Sequence, residues 1–199
     1  MLTFDPAEHR YTWNGGRVPS VTQIIASALG NPFAAVPPAV LERKRQIGQA
    51  AHRACELDDA GQLDEATVHP DVAPYLSAWR KFRKAWPFRV LASERVMYDD
   101  VCGYAGQTDV IAERDDGVLI VIDIKTGLPK AQAALQTAAY ANLVLRERTK
   151  GEDQTLPQRY ALHATKDGTY HLVPYVRPGD WRDFLACLAV HRIKERIAE

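Results

Sequence analysis

With 199 residues, 46% of them hydrophobic, the chain is long enough to bury the core of one domain. Its 25 basic and 25 acidic residues cancel, which excludes a globally basic polyanion binder and leaves such a contact to local clusters. No apolar run approaches the roughly 18 residues that span a bilayer, and Cys55, Cys102 and Cys187 lack a CxxC pattern.

The opening Met1-Leu2-Thr3-Phe4-Asp5-Pro6 has neither the basic start nor the apolar core of a signal peptide. The three cysteines therefore read as reduced, buried thiols of a cytoplasmic protein without a membrane contact. A disulfide framework, a zinc ribbon or a four-cysteine iron–sulfur cluster is not supported.

In chain order, Arg10-Tyr11-Thr12-Trp13 and Arg17-Val18 flank a turn at Asn14-Gly15-Gly16 and predict a hairpin. Ser20 is a good N-cap for a short helix through Leu29, stopped by Gly30 and Pro32. Pro37-Pro38 opens a longer helix to about Asp59, ending at Gly61, and a third begins near Pro70 and ends at Pro87. Three strands follow, at about 88–98, 103–113 and 118–125. A helix of about twenty residues is predicted from Pro129 to near Arg148. The polar stretch 150–154 then leads to strands at 158–165 and 170–176. A last helix after Pro178-Gly179 carries Trp181, Phe184, Leu185 and Leu188 on one face. This order predicts an α/β or α+β architecture: a central mixed sheet flanked by helices.

Candidate chemistry concentrates at the end of the third of these strands. Side chains alternate with period two, so Asp123 and Lys125 share a face, opposite Ile122 and Ile124. A carboxylate and an ammonium side by side at the end of an apolar strand are costly unless used or fully satisfied. A plain strand-end salt bridge remains open. Asp109 enters the neighbouring strand, and two carboxylates from adjacent strands can converge on one hard cation. Gln136 and Tyr140, four apart on a helix, share a face, although Tyr140 also suits a core position. His52 lies in the second helix near Gly48, a residue that costs about 1 kcal/mol in a helix interior and marks a close approach. Along the first of the three strands, Val90, Ala92, Glu94, Val96 and Tyr98 are expected on one face, which Glu94 interrupts.

A basic cluster, Arg80, Lys81, Arg83, Lys84 and Arg89, is interleaved with Trp79, Phe82 and Trp86. It reads either as a platform for single-stranded DNA or as a solvated face beside a core stripe; the core stripe is the favoured reading for the aromatics. Lys44 and Arg45, one to two turns before His52, are further candidate phosphate contacts.

Taken in order, His52, Glu94, Gly106-x-x-Asp109, Asp123-x-Lys125 and Gln136-x-x-x-Tyr140 resemble the RecB-type branch of the PD-(D/E)XK nuclease superfamily. The resemblance spans about Pro19 to Ala141, and Pro19-Ser20-Val21-Thr22 is similar to the segment that precedes the His-bearing helix in that branch. It implies a restriction-endonuclease-like core in one nuclease domain over 1–199. Residues 1–87 would bring His52, 88–176 the catalytic sheet and helix, and 177–199 a closing helix. It also implies Mg²⁺ or Mn²⁺ held by His52, Asp109, Asp123 and the carbonyl of Ile124. Catalysis would rest on Asp123, Lys125 and Glu94, and DNA contacts on Gln136, Tyr140, Ser20, Lys44 and Arg45. The expected activity is a DNA exonuclease acting on single-stranded or duplex ends, similar to the free-standing phage and prophage enzymes and to the mitochondrial genome-maintenance exonuclease. A non-catalytic DNA-binding module, an endonuclease, a homo-oligomer and a recombination partner protein stay open.

Overall fold

The computed structural model describes residues 1–31, 33–127, 131–148 and 153–198. Strands β1 (Leu2–Asp5), β2 (Arg10–Trp13) and β3 (Gly16–Val18) form an antiparallel sheet in sequence order. The expected hairpin is its second half; β1 was not foreseen, because Leu2–Asp5 alone carries little periodicity. Helix α1 (Val21–Leu29) starts at a full capping box, in which Ser20 Oγ accepts from Gln23 N–H and the Gln23 side chain accepts from the Ser20 N–H. Helix α2 (Pro38–Asp59) carries His52, a 3₁₀ turn spans Glu65–Thr67, and α3 is Ala73–Ala85.

Strands β4 (Arg89–Asp99), β5 (Tyr104–Glu113), β6 (Leu119–Lys125), β7 (Gln158–Ala164) and β8 (Tyr170–Pro174) form a five-stranded mixed sheet in that order. Only β6–β7 is parallel, its crossover made by α4 (Gln132–Glu147). The helix start expected at Pro129, and the stop at Pro32, lie outside the described residues, as does part of the 150–154 stretch. Helix α5 (Gly179–Ala198) ends the fold.

The sheet is covered on both faces. Ile120, Ile122 and Ile124 of β6 pack with Trp79 and Phe82 of α3, whereas Val121 packs with Tyr140 and Leu143 of α4, Ile24 of α1 and Phe184 of α5. Burial on both sides is why β6 reads as an unbroken apolar run. Trp79 and Phe82 are fully buried, so the aromatics of α3 are core, as favoured. Cys55, Cys102 and Cys187 are free thiols, and Cys102 is half-buried in the turn after β4, which corrects its expected burial. Among the described residues no helix is long and apolar enough to cross a membrane.

The expected single face of β4 does not exist. Val90 packs with the α3 cluster and Ala92 with the α4 cluster, because a bulge shifts the register between them. Ala92 and Met97, five apart, then share the α4 cluster, so the strand rolls over a second time between them. Glu94 lies in that segment with φ 48°, a left-handed conformation that is costly without glycine. Facing it, β5 does the same: Gly106 lies under α4 while Val110, also at an even position, packs with α3. Asp109 falls within that second rollover.

Candidate active site

Helices α2 and α4 and strands β4, β5 and β6 meet where β5 and β6 part. Their ladder ends at Val110 opposite Ile122, while β6 continues beside β7 to Lys125 opposite His163. Beyond that point the Asp109 carboxylate replaces the missing backbone partner: Oδ2 accepts from the Ile124 N–H at 2.6 Å. The Ile124 carbonyl, expected as a metal ligand, accepts from His52 Nε2 at 2.9 Å. Both backbone groups of Ile124 thus tie the strand to the acidic residue and the helix.

With Nε2–H committed to Ile124, the other ring nitrogen of His52 faces two carboxylates. Nδ1 lies 3.5 Å from Asp109 Oδ1 and 3.6 Å from Glu94 Oε1. One donor atom from each of His52, Glu94 and Asp109 lies within 4.8 Å of the others. A hydrogen bond from the distal ring nitrogen to a backbone carbonyl is the usual way of fixing a metal-binding imidazole. One nitrogen and two carboxylate oxygens are a fitting donor set for Mg²⁺ or Mn²⁺. Burial opposes a charge on His52, but the carboxylates of Asp109 and Glu94 outweigh it and raise its pKa well above the ordinary value. A proton on Nδ1 then serves as the positive charge these oxygens demand.

Asp123 lies beside this cluster. Its side chain is almost fully buried, with Lys125 Nζ 3.0 Å from Oδ1 and 2.8 Å from Oδ2. Burial, aided by the nearby Asp109 charge, pushes its pKa up to about 6 despite Lys125. Burial works against the Lys125 ammonium too, yet Asp123 and Asp109 together hold its pKa above the usual lysine value. Asp109 is burdened by burial as well, but His52, Lys125 and the Ile124 N–H bring its pKa below the usual carboxylate value. Burial, with the Asp109 charge, outweighs the His52 contact at Glu94 and raises its pKa.

From Lys125 the polar chain continues into α4. Nζ donates to Gln136 Oε1 at 2.9 Å, and Gln136 Nε2 donates to Tyr140 Oη at 2.9 Å, which leaves the phenolic proton free to be donated. Tyr140 is buried against β5 at Gly106, where a Cβ would come within 2.9 Å of the Tyr140 ring and 3.1 Å of Leu143. Glycine here is what lets α4 settle onto the strand. Gly48 plays a similar part on α2: a Cβ would stand 3.3 Å from Thr126 Oγ1, directly after β6.

The structure therefore gathers His52, Glu94, Asp109, Asp123, Ile124, Lys125, Gln136 and Tyr140. Ser20 is buried in the α1 cap and bridged to Ala105 of β5. Arg45 is engaged on the exposed face of α2 by Glu42 at 2.7 Å and by Gln49 Oε1 at 2.9 Å, and Lys44 is exposed beside it. The basic cluster around α3 is largely engaged, with Lys84 left exposed. Arg80 pairs with Asp58 and Glu65, Arg83 with Asp59, and Arg89 with Glu113, while Lys81 donates to the Gly168 carbonyl.

Neighbours of the site that escaped the sequence reading include Tyr11, Thr126, His163 and Tyr175. His163 sits beside Lys125 across the parallel ladder, with Nδ1 3.2 Å from the Gly127 carbonyl. Its register depends on a crossover of over thirty residues, which no local signal fixes.

Comparison with known proteins adds family membership. A family model described as the PD-(D/E)XK nuclease superfamily matches residues 33–189. Among solved structures, the crystal structure of SSO0001 aligns with a TM-score of 0.39 and 16% identity, over 89% of this chain and 84% of that one. No curated protein matches. The mixed five-stranded sheet with helices on both faces is consistent with the restriction-endonuclease-like fold. The chain belongs to the PD-(D/E)XK nuclease superfamily, whose members are metal-dependent hydrolases of nucleic acid.

Proposed function

We propose that this protein is a Mg²⁺- or Mn²⁺-dependent DNA exonuclease of the RecB-type branch, acting on single-stranded ends or frayed duplex ends in DNA recombination, repair or phage DNA processing. The observation that carries the reading is a join. Three metal-donor side chains from α2, β4 and β5 meet beside an unbroken polar chain, Asp123–Lys125–Gln136–Tyr140.

His52, Glu94 and Asp109 would hold the divalent ion, and Asp123 and the Ile124 carbonyl lie beside these residues. When bound, the ion polarises a phosphate oxygen and makes water more acidic. Lys125 keeps its proton and places a cation against the negative charge that grows on the phosphate during attack. Asp123 and Gln136 aim that ammonium from two sides. With a pKa of about 6, Asp123 is also poised to take a proton near neutrality. Water oxygen bonds to phosphorus, the bond to one sugar oxygen breaks, and that oxygen leaves with a proton. Tyr140 offers its O–H to the nucleic-acid backbone from the α4 side.

The reading is tested by digestion of 5′- and 3′-labelled single- and double-stranded oligonucleotides and of a closed DNA circle, with Mg²⁺, Mn²⁺ or chelator. Metal-dependent release of mononucleotides or short products from ends, with the circle intact, is expected. Cutting of the circle would make it an endonuclease. Binding without metal-dependent cleavage would make it an accessory DNA-binding module.

A further inference from the structure

Tyr11, on β2, has a buried hydroxyl without a hydrogen-bond partner among the described residues. The residue is 1% exposed. Its ring is firmly placed, stacked on Phe4 at 4.5 Å and edge-on to His9 at 5.5 Å. The small N-terminal sheet is in turn anchored to the large one. Trp13, on the same side of β2 as Tyr11, stacks on Tyr98 of β4 at 4.6 Å. The Pro19 carbonyl accepts from the Ala105 N–H of β5 at 3.0 Å. The charges acting on the phenol are the carboxylates of Glu94 and Asp109, and the phenol in turn acts on Tyr140.

A buried phenol ordinarily gives its proton to some acceptor in a hydrogen bond. Here Asp109 is engaged by His52 and Ile124, Glu94 faces His52, and the Tyr11 O–H stays free. An unpaired buried donor is costly, and costs of this kind persist where a ligand supplies the missing acceptor. We propose that Tyr11 is a further residue of the active site, its O–H donating to a non-bridging oxygen of the bound phosphodiester. The N-terminal sheet then adds a donor to the site from outside the five-stranded sheet and α4. The inference rests on the nuclease reading above and goes beyond it, because the family match begins at residue 33 and leaves Tyr11 outside. Burial and the two carboxylates keep the phenol protonated, as a donor must be.

The test is Tyr11→Phe, which keeps the ring and removes only the hydroxyl. Cleavage of a labelled oligonucleotide should fall by roughly ten- to a hundredfold, while the melting temperature stays level or rises because an unpaired buried group is gone. The same oligonucleotide carrying one phosphorothioate of defined configuration separates a phosphate contact from a structural effect, since sulfur accepts hydrogen bonds poorly. For one diastereomer the slowing by sulfur should be smaller in Tyr11→Phe than in the wild type. Unchanged sulfur effects for both diastereomers overturn the assignment whatever the rate, and so does full activity of the variant. A wild-type chain that cleaves nothing overturns the nuclease reading together with it, whereas an active wild type with an equally active variant overturns Tyr11 alone.

Discussion

The face of α3 and the gap between β5 and β6 are both dense with charge, yet they are built on opposite terms. On α3 each arginine has its own acid: Arg80 with Asp58, Arg83 with Asp59, and nearby Arg89 of β4 with Glu113. These pairs lie at the surface or its margin, and Arg83 also covers the Phe88 ring at 4.0 Å. In the gap, three carboxylates (Glu94, Asp109, Asp123) face Lys125 and the His52 proton, all wholly or partly withdrawn from water. The arginine charge there is balanced pair by pair. Even with His52 protonated, three carboxylates in the gap face two cationic groups, so the gap is short of positive charge unless a carboxyl takes up a proton or a cation enters. The difference teaches that an abundance of basic residues in sequence says little about polyanion binding, whereas an imbalance of buried charge says much about a cation.

The sharpest way to break this comparison is to remove the chemistry on one side. Asp123→Ala and Lys125→Ala are each expected to lower cleavage by roughly a thousandfold or more, with circular dichroism confirming that the sheet persists. Activity near the wild-type level in either variant would sink the proposed mechanism. Lys125→Ala leaves Asp123 buried without its cation, but a carboxyl with a pKa near 6 can respond by taking up a proton.

A smaller effect is expected from the cation itself. Saturation at a hundred times its dissociation constant should stabilise the fold by about 2.7 kcal/mol, read as a thermal shift with Mn²⁺ that His52→Ala abolishes. This shift should depend on pH in a definite direction. The folded pKa of His52 is raised, so its proton contributes stability below the ordinary imidazole value, and that contribution is lost as pH rises through the folded value. An ion competes with that proton for Nδ1, so the Mn²⁺ shift should be larger at about pH 8 than at about pH 6. An equal shift at both would remove His52 from the ligand set.

The smallest effect belongs to α3. Replacing Arg80 and Arg89 with alanine should cost no more than about 1 kcal/mol per exposed pair and leave the salt dependence of oligonucleotide binding unchanged, because these cations are already matched. A flatter slope in the double variant would show that the α3 face does contact phosphate.

Much of this was legible in the chain. Period-two alternation fixed Asp123 and Lys125 to one face, and helical spacing put Gln136 and Tyr140 on another, because both patterns span a few residues and need no partner to be read. Ser20 as an N-cap and Gly48 as a point of close approach were likewise local signals. Glu94 shows where such reading fails. Its strand was expected to present one continuous face, but a bulge and a left-handed residue roll it over, and no glycine marks either event.

The sequence by itself determined which side chains could do chemistry and in what order they occur. Only the tertiary structure decided that β5 and β6 part after Val110 and Ile122, letting Asp109 hold the Ile124 N–H while α2 brings His52 to the Ile124 carbonyl. Only the tertiary structure, too, brought Tyr11 and His163 beside them. Contacts between residues tens of positions apart depend on how sheets twist and helices dock, and those depend on packing summed over the whole core. No single segment of sequence carries that sum.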